Sequence, residues 1–172
     1  MSGHRKNVKC VEFIGGNGLS LATGSSDNTI KIWNTETGAQ LANLTGNTSR
    51  IWDLSSSASG KLMASAAGDG VVKVWDISST TKPTCPLTIK AHEGDAYAVQ
   101  FHPGQEHIVS GGYDKSIHLH DVRTGQLKLE GHTGMVYSVA WSQQQSLLAS
   151  SSHDNTAKVW WYDSTKPIFC DI

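Results

Sequence analysis

One short sentence is written four times in this chain, and that repetition constrains the fold more than any other feature. The segments Ser25–Trp33, Ala67–Trp75, Gly112–His120 and Ser152–Trp160 read SSDNTIKIW, AGDGVVKVW, GYDKSIHLH and SHDNTAKVW. Their last residues step by 42, 45 and 40 positions. A second landmark, the pair Gly3-His4, Gly46-Asn47, Ala91-His92 and Gly131-His132, steps by 43, 45 and 40. Two landmarks sharing one period indicate stacked repeats, each a supersecondary unit that buries its apolar faces only against its neighbours. The chain reads as a single unit of four repeats, approximately 3–45, 46–90, 91–130 and 131–172.

Within each period, short apolar runs bounded by turn residues predict strands. The first strands are Val8–Phe13, Ile51–Ser56, Ala96–Phe101 and Val136–Trp141, and the second are Leu19–Thr23, Leu62–Ser65, His107–Ser110 and Leu147–Ser150. Tight turns at Asp27, Asp69, Asp114 and Asp154 lead into the third strands. The fourth are Ala39–Leu44, Cys85–Ile89, Gln126–Leu129 and Pro167–Ile172, sixteen strands in all. No segment sustains a 3.6-residue period, so no helix is expected.

Charge and composition exclude several classes. Fourteen Lys and Arg nearly balance fifteen Asp and Glu, for a net charge of -1, so no direct nucleic-acid binding is expected. No apolar run approaches the length of a membrane span, and no signal peptide is visible, which points to the cytoplasm or nucleus. Cys10, Cys85 and Cys170 fit no CxxC pattern and read as small buried hydrophobes of a reducing compartment. Outside the secretory route, the triplets Asn43-Leu44-Thr45 and Asn47-Thr48-Ser49 are chance glycosylation matches.

The His of the first landmark, the turn Asp and the terminal Trp-Asp position are what the WD-repeat family is recognised by, and the chain resembles that family over nearly its whole length. The dipeptide itself drifts through Trp33-Asn34, Trp75-Asp76, His120-Asp121 and Trp160-Trp161. The resemblance implies an all-β propeller segment of four four-stranded blades, an open arc or part of a larger ring. It also implies a buried hydrogen-bonded tetrad in each repeat. Carried over by position, these are His4, Thr23, Asp27 and Trp33 in the first and His132, Ser150, Asp154 and Trp160 in the fourth. The second repeat has Ser65, Asp69 and Trp75 but Asn47 for His, and the third has His92, Ser110 and Asp114 but His120 for Trp.

Ser or Thr, His and Asp are also the ingredients of a nucleophilic triad, but a triad occurs once, in an exposed cleft, whereas this trio recurs with a Trp at its end. The structural reading is preferred, and no enzyme activity is expected. His118 and His120 share a strand face without a Cys or carboxylate at ligand spacing, so neither metal nor other cofactor is expected.

The functional candidates lie at one rim. Lys9, Trp52, Tyr97 and Tyr137 follow the first apolar residue of each first strand, and Tyr113 and His153 precede turn aspartates. In the resembled family these positions open on one face near the channel mouth, and the residue types are those of interface hot spots. A scaffold or adaptor that recruits protein or peptide partners is therefore expected. The alternative is a substrate-receptor or regulatory part of a larger enzyme, because Asp121 and Arg123 resemble the Trp-Asp-x-Arg contact to a cullin-RING ubiquitin ligase. With four repeats and no spare strand as a clasp, an arc with exposed end faces is expected, covered by further blades or by self-association.

Overall fold

The computed structural model describes residues 2–16, 18–104, 107–121, 125–142 and 147–161, and for residues 121 and 125–129 it gives the course of the strands. The fourth strand expected at Pro167–Ile172, Cys170 and Arg123 lie outside the described residues. β1 (Val8–Ile14), β2 (Ser20–Ser25), β3 (Ile30–Asn34) and β4 (Gln40–Leu44) form the first sheet, and β5 (Ile51–Ser56), β6 (Leu62–Ala67), β7 (Val71–Asp76) and β8 (Thr84–Lys90) the second. β9 (Ala96–Phe101), β10 (His107–Gly112), β11 (Ile117–Asp121) and β12 (Gly125–Leu129) form the third, and β13 (Val136–Trp141), β14 (Leu147–Ser152) and β15 (Ala157–Trp161) the fourth. Every sheet is an antiparallel meander in chain order.

The second strands run two residues further than their composition suggests, ending at Ser25, Ala67, Gly112 and Ser152. Small residues there are demanded by packing, not by a turn. A Cβ on Gly24 would stand 2.6 Å from Cys10 Sγ, and one on Gly111 would stand 2.6 Å from Val136 Cγ1. The turns come later, where Asn28, Gly70, Lys115 and Asn155 each adopt positive φ one residue past the turn aspartate. These residues close the second-to-third hairpins through bonds such as Asn28 N–H to Ser25 O and Lys115 N–H to Gly112 O.

Consecutive sheets bury their faces against each other in three cores. Ile30, Ile32 and Leu44 of the first sheet meet Leu54, Met63 and Trp75 of the second. Val72 and Val74 meet Val99, Phe101 and Ile108, and Ile117 and Leu119 meet Val139, Trp141 and Trp160. β1, β5, β9 and β13 are edge strands, and their unpaired amides need acceptors. For β5, β9 and β13 the preceding blade supplies them: Ser56 N–H donates to Glu12 Oε1 (2.8 Å), Phe101 N–H to Ser55 Oγ (3.0 Å) and Trp141 N–H to Gln100 Oε1 (2.5 Å). Val99 N–H adds a bond to Asp53 Oδ2 (3.0 Å), whose carboxyl is pushed up by burial.

Among the described residues, four sheets with three joints make an open arc. On the outer face of the first sheet Val11 and Phe13 are 63% and 60% exposed, and Trp161 is exposed on the fourth. The cysteines differ from expectation in one respect. Cys10 is packed in the first joint, where burial and then Asp53 push its thiol up to about 12, but Cys85 is exposed because β8 is an outer edge strand. The uncovered faces should bind an apolar fluorescent dye, and Val11→Ser with Phe13→Ser should reduce that binding without lowering the melting temperature. A dye-silent protein would contradict the open arc.

Candidate protein-binding rim

In the first repeat one hydroxyl joins three segments. Trp33 Nε1–H donates to Thr23 Oγ1 (2.8 Å), His4 Nε2 lies 2.7 Å from the same oxygen, and His4 Nδ1 lies 3.0 Å from Asp27 Oδ2. An indole only donates and an ionised carboxylate only accepts, so Thr23 donates its hydrogen to His4 Nε2 and His4 donates Nδ1–H to Asp27. Asp27 also accepts from Arg5 N–H (2.8 Å) and from Thr29 N–H and hydroxyl (3.0 and 2.6 Å). Burial raises its carboxyl, but these bonds outweigh that effect and hold it well below the usual carboxylate range. The fourth repeat is equivalent. Trp160 Nε1–H donates to Ser150 (2.8 Å), Ser150 to His132 Nε2 (2.7 Å) and His132 Nδ1–H to Asp154 (2.8 Å).

The two departures from the pattern behave differently. In the second repeat Trp75 Nε1–H donates to Ser65 (3.0 Å), but Asn47 is too short to join them to Asp69. Its amide atoms are buried with no hydrogen-bond partner among the described residues, and Thr48 bonds Asp69 instead. The third repeat closes in spite of its substitution. His92 Nδ1 meets Asp114 Oδ1 (2.9 Å), His92 Nε2 meets Ser110 Oγ (2.8 Å), and His120 Nε2 takes the place of the indole nitrogen at 3.0 Å from Ser110. Burial, and then the neighbouring His118 and His92, push His120 down to about 3, so its ring is neutral. His118 was expected to lack a carboxylate neighbour. The fold brings His92 to 4.7 Å between ring centroids and Asp114 Oδ2 to 4.0 Å from His118 Nε2.

Each first strand begins with the same irregularity. Val8 pairs with Ser25 and Cys10 with Gly24, which leaves Lys9 as an extra residue, and the ladder skips Trp52, Tyr97 and Tyr137 in the same way. Such a bulge turns the extra side chain out of the ladder. The residue before each first strand accepts from the residue before each turn aspartate: Ser26 N–H to Asn7 O (2.9 Å), Gly68 to Arg50 (2.9 Å), Tyr113 to Asp95 (2.8 Å) and His153 to Met135 (2.8 Å). Bulge and hairpin are thereby clamped at one rim.

The four bulged side chains meet across the blades. Lys9 Nζ lies 5.1 Å from the Trp52 ring centroid, Trp52 lies 5.7 Å from Tyr97, Tyr97 5.4 Å from Tyr137 and Tyr137 6.2 Å from His153. Edge and tilted contacts at these distances are favourable for aromatic pairs. Tyr113 caps Gly94, whose φ of +100° and lack of a side chain admit the ring. Three participants were not anticipated. Arg50 lies over Trp52 at 5.4 Å, Asp95 accepts Trp52 Nε1–H (2.9 Å), and Met135 Sδ meets the hydroxyls of Tyr97 and Tyr137 (4.0 and 3.9 Å). All three occupy the position just before a first strand, which was the available signal. Burial, then Asp95, raise the Tyr97 hydroxyl above its ordinary value. Asp121 ends β11, away from this rim at which the first strands begin.

Antiparallel blades in series, the first and fourth tied internally by His, Ser or Thr, Asp and Trp, are the build of a repeat-based propeller segment. The family model for the WD domain, G-beta repeat, matches residues 1–34, 38–76, 83–121 and 124–160, and the chain belongs to that family. It is 30% identical to a guanine nucleotide-binding protein subunit beta of Arabidopsis thaliana, over 93% of this chain and 45% of that protein. It is 34% identical to nuclear distribution protein nudF 1 of Talaromyces marneffei, over 81% of this chain and 30% of that protein. The solved structure of U3-55K shares the fold with a TM-score of 0.85 at 21% identity, covering 94% of this chain and 50% of that one. The chain thus spans half or less of the length of these proteins.

The difference between open and closed networks is measurable. Ser150→Ala orphans both His132 Nε2 and Trp160 Nε1 and should cost about 2–3 kcal/mol in urea unfolding. Ser65→Ala orphans Trp75 alone and should cost about 1 kcal/mol. Equal losses would contradict the assignment of the second repeat as open.

Proposed function

We propose that this chain is a non-catalytic scaffold that holds a protein or peptide segment along the rim formed by Lys9, Trp52, Tyr97, Tyr113, Tyr137 and His153. The continuity of that run carries the reading: four blades each spend a bulge to place one side chain beside the next. Tyr113 and Tyr137 are about half exposed, and large aromatic side chains dominate binding energy at interfaces. One of the similar proteins is by name a subunit of a larger protein, which accords with a role in assembly.

A hydrolytic reading is disfavoured by access. The candidate nucleophiles Thr23, Ser110 and Ser150 are buried, and each already accepts an indole or imidazole N–H. The cytoplasm or nucleus suits a chain in which Cys10 and Cys85 are free thiols. Further blades or a second copy would cover the two outer faces.

Trp52→Ala and Tyr97→Ala should each weaken affinity capture of partners by tenfold or more, on the order of a hot-spot loss. Because the rim adds little to the three cores, the melting temperature should stay within a few degrees, on the order of surface substitutions. Normal capture by both variants would move the docking surface elsewhere.

A further inference from the structure

The third repeat departs from its sisters at two positions on one strand face, and both departures are imidazoles. Where the first, second and fourth repeats have Lys31, Lys73 and Lys158, the third has His118, and where they have an indole it has His120. The ammonium of Lys31 reaches Gln40 and Asn43 and that of Lys73 reaches Thr88, and neither has a lone pair to give a metal ion. A neutral imidazole offers a lone pair.

We propose that the third blade carries a binding site for a divalent transition-metal ion, typified by zinc, formed by His92, Asp114 and His118. One ligand atom from each residue lies within 4.8 Å of the others. Ser116 Oγ sits among them, 2.6 Å from Asp114 Oδ1, 2.8 Å from His118 Nε2 and 3.5 Å from His92 Nδ1. That hydroxyl lies between Asp114 and His118 and at the limit of reach of His92, and rotation about one side-chain bond vacates the point. With zinc bonds of about 2.0–2.2 Å the ligand atoms stand about 3.3–3.6 Å apart, so the widest pair must close by about 1.2–1.5 Å. Two imidazoles and one carboxylate leave the fourth tetrahedral position to water. Asp114 is partly exposed and opens the site to solvent.

The tetrad of this blade suits such a ligand for a second reason. Coordination through His92 Nδ1 requires the ring hydrogen to reside on Nε2, which then donates to Ser110. Ser110 must in turn direct its own hydrogen to the next residue. An indole cannot accept it, but His120 Nε2 can, with the His120 ring hydrogen moving to Nδ1. The ring and hydroxyl hydrogens are only redistributed, and no proton is lost. In the first and fourth repeats Trp33 and Trp160 block this reversal.

Titrating the intact chain with zinc ions alone, followed by calorimetry, should give one ion per chain at micromolar or tighter affinity. Cobalt in its place should give the visible absorption of a tetrahedral site. His118→Lys, the residue of the three sister repeats, should weaken uptake by roughly a hundredfold or more while the metal-free melting temperature is kept, and His118→Gln should do the same. In the unsubstituted chain, zinc should shift the imidazole nitrogen resonances of His92 and His118 and leave those of His4 and His132 unmoved. Absence of uptake at millimolar zinc, unchanged uptake by both variants, or equal shifts at His4 and His132 would each overturn the site.

Discussion

A single hydroxyl, shared in the first, third and fourth repeats between an imidazole and a ring nitrogen on the third strand, is the contact on which the rest of those blades depends. Thr23, Ser110 and Ser150 each accept from the third strand and reach the His ahead of the first, while that His reaches the hairpin aspartate. Four segments that are distant in sequence are thus held by donors and acceptors whose directions are fixed at both ends. Buried polar groups are tolerable only when satisfied in this way, and a satisfied chain of them specifies one arrangement. The network closes in three of the four repeats, through Thr23, Ser110 and Ser150.

The same bonds prepare the rim. Arg5, Glu93 and Thr133, each next to a tetrad His, donate their amides to the hairpin aspartates at 2.8, 3.2 and 3.0 Å. That fixes the segment leading into the first strand, and the bulge follows within a few residues. Core and rim are therefore not separate features: the network sets where the strand begins, and the bulge there sets which side chain faces outward. The rim is apolar and aromatic from Trp52 to His153 and cationic at Lys9 and Arg50, with Asp95 between. Such a surface suits a partner with both apolar and acidic groups.

Much of this was legible in the sequence, because repetition lets weak local signals support one another. The strands beginning at Ile51, Ala96 and Val136 were readable to the residue, and Lys9, Trp52, Tyr97 and Tyr137 stood out by position. What escaped notice depends on contacts between distant segments. Gly111-Gly112 looks like a turn but is strand, since its smallness serves Val136 and His92. Arg50, Asp95 and Met135 show no shared chemistry, and only their common place before a bulge unites them. The approach of Asp114 to His118 arises because the hairpin folds back on the third strand, a geometry that spacing along the chain conceals.

The third repeat shows how far a substitution can be absorbed when function within the network is kept. His120 has a ring N–H to offer where Trp33 and Trp160 have theirs, and the chain of bonds closes. Asn47 has the right polarity but not the reach, and its network stays open. The direction of these bonds can be read in solution from the imidazole nitrogens of the metal-free protein by long-range proton–nitrogen correlation. His4, His92 and His132 are expected with the ring hydrogen on Nδ1 and an acceptor at Nε2. Rings protonated on Nε2, or exchanging freely between the two forms, would contradict the network on which the blades and their rim depend.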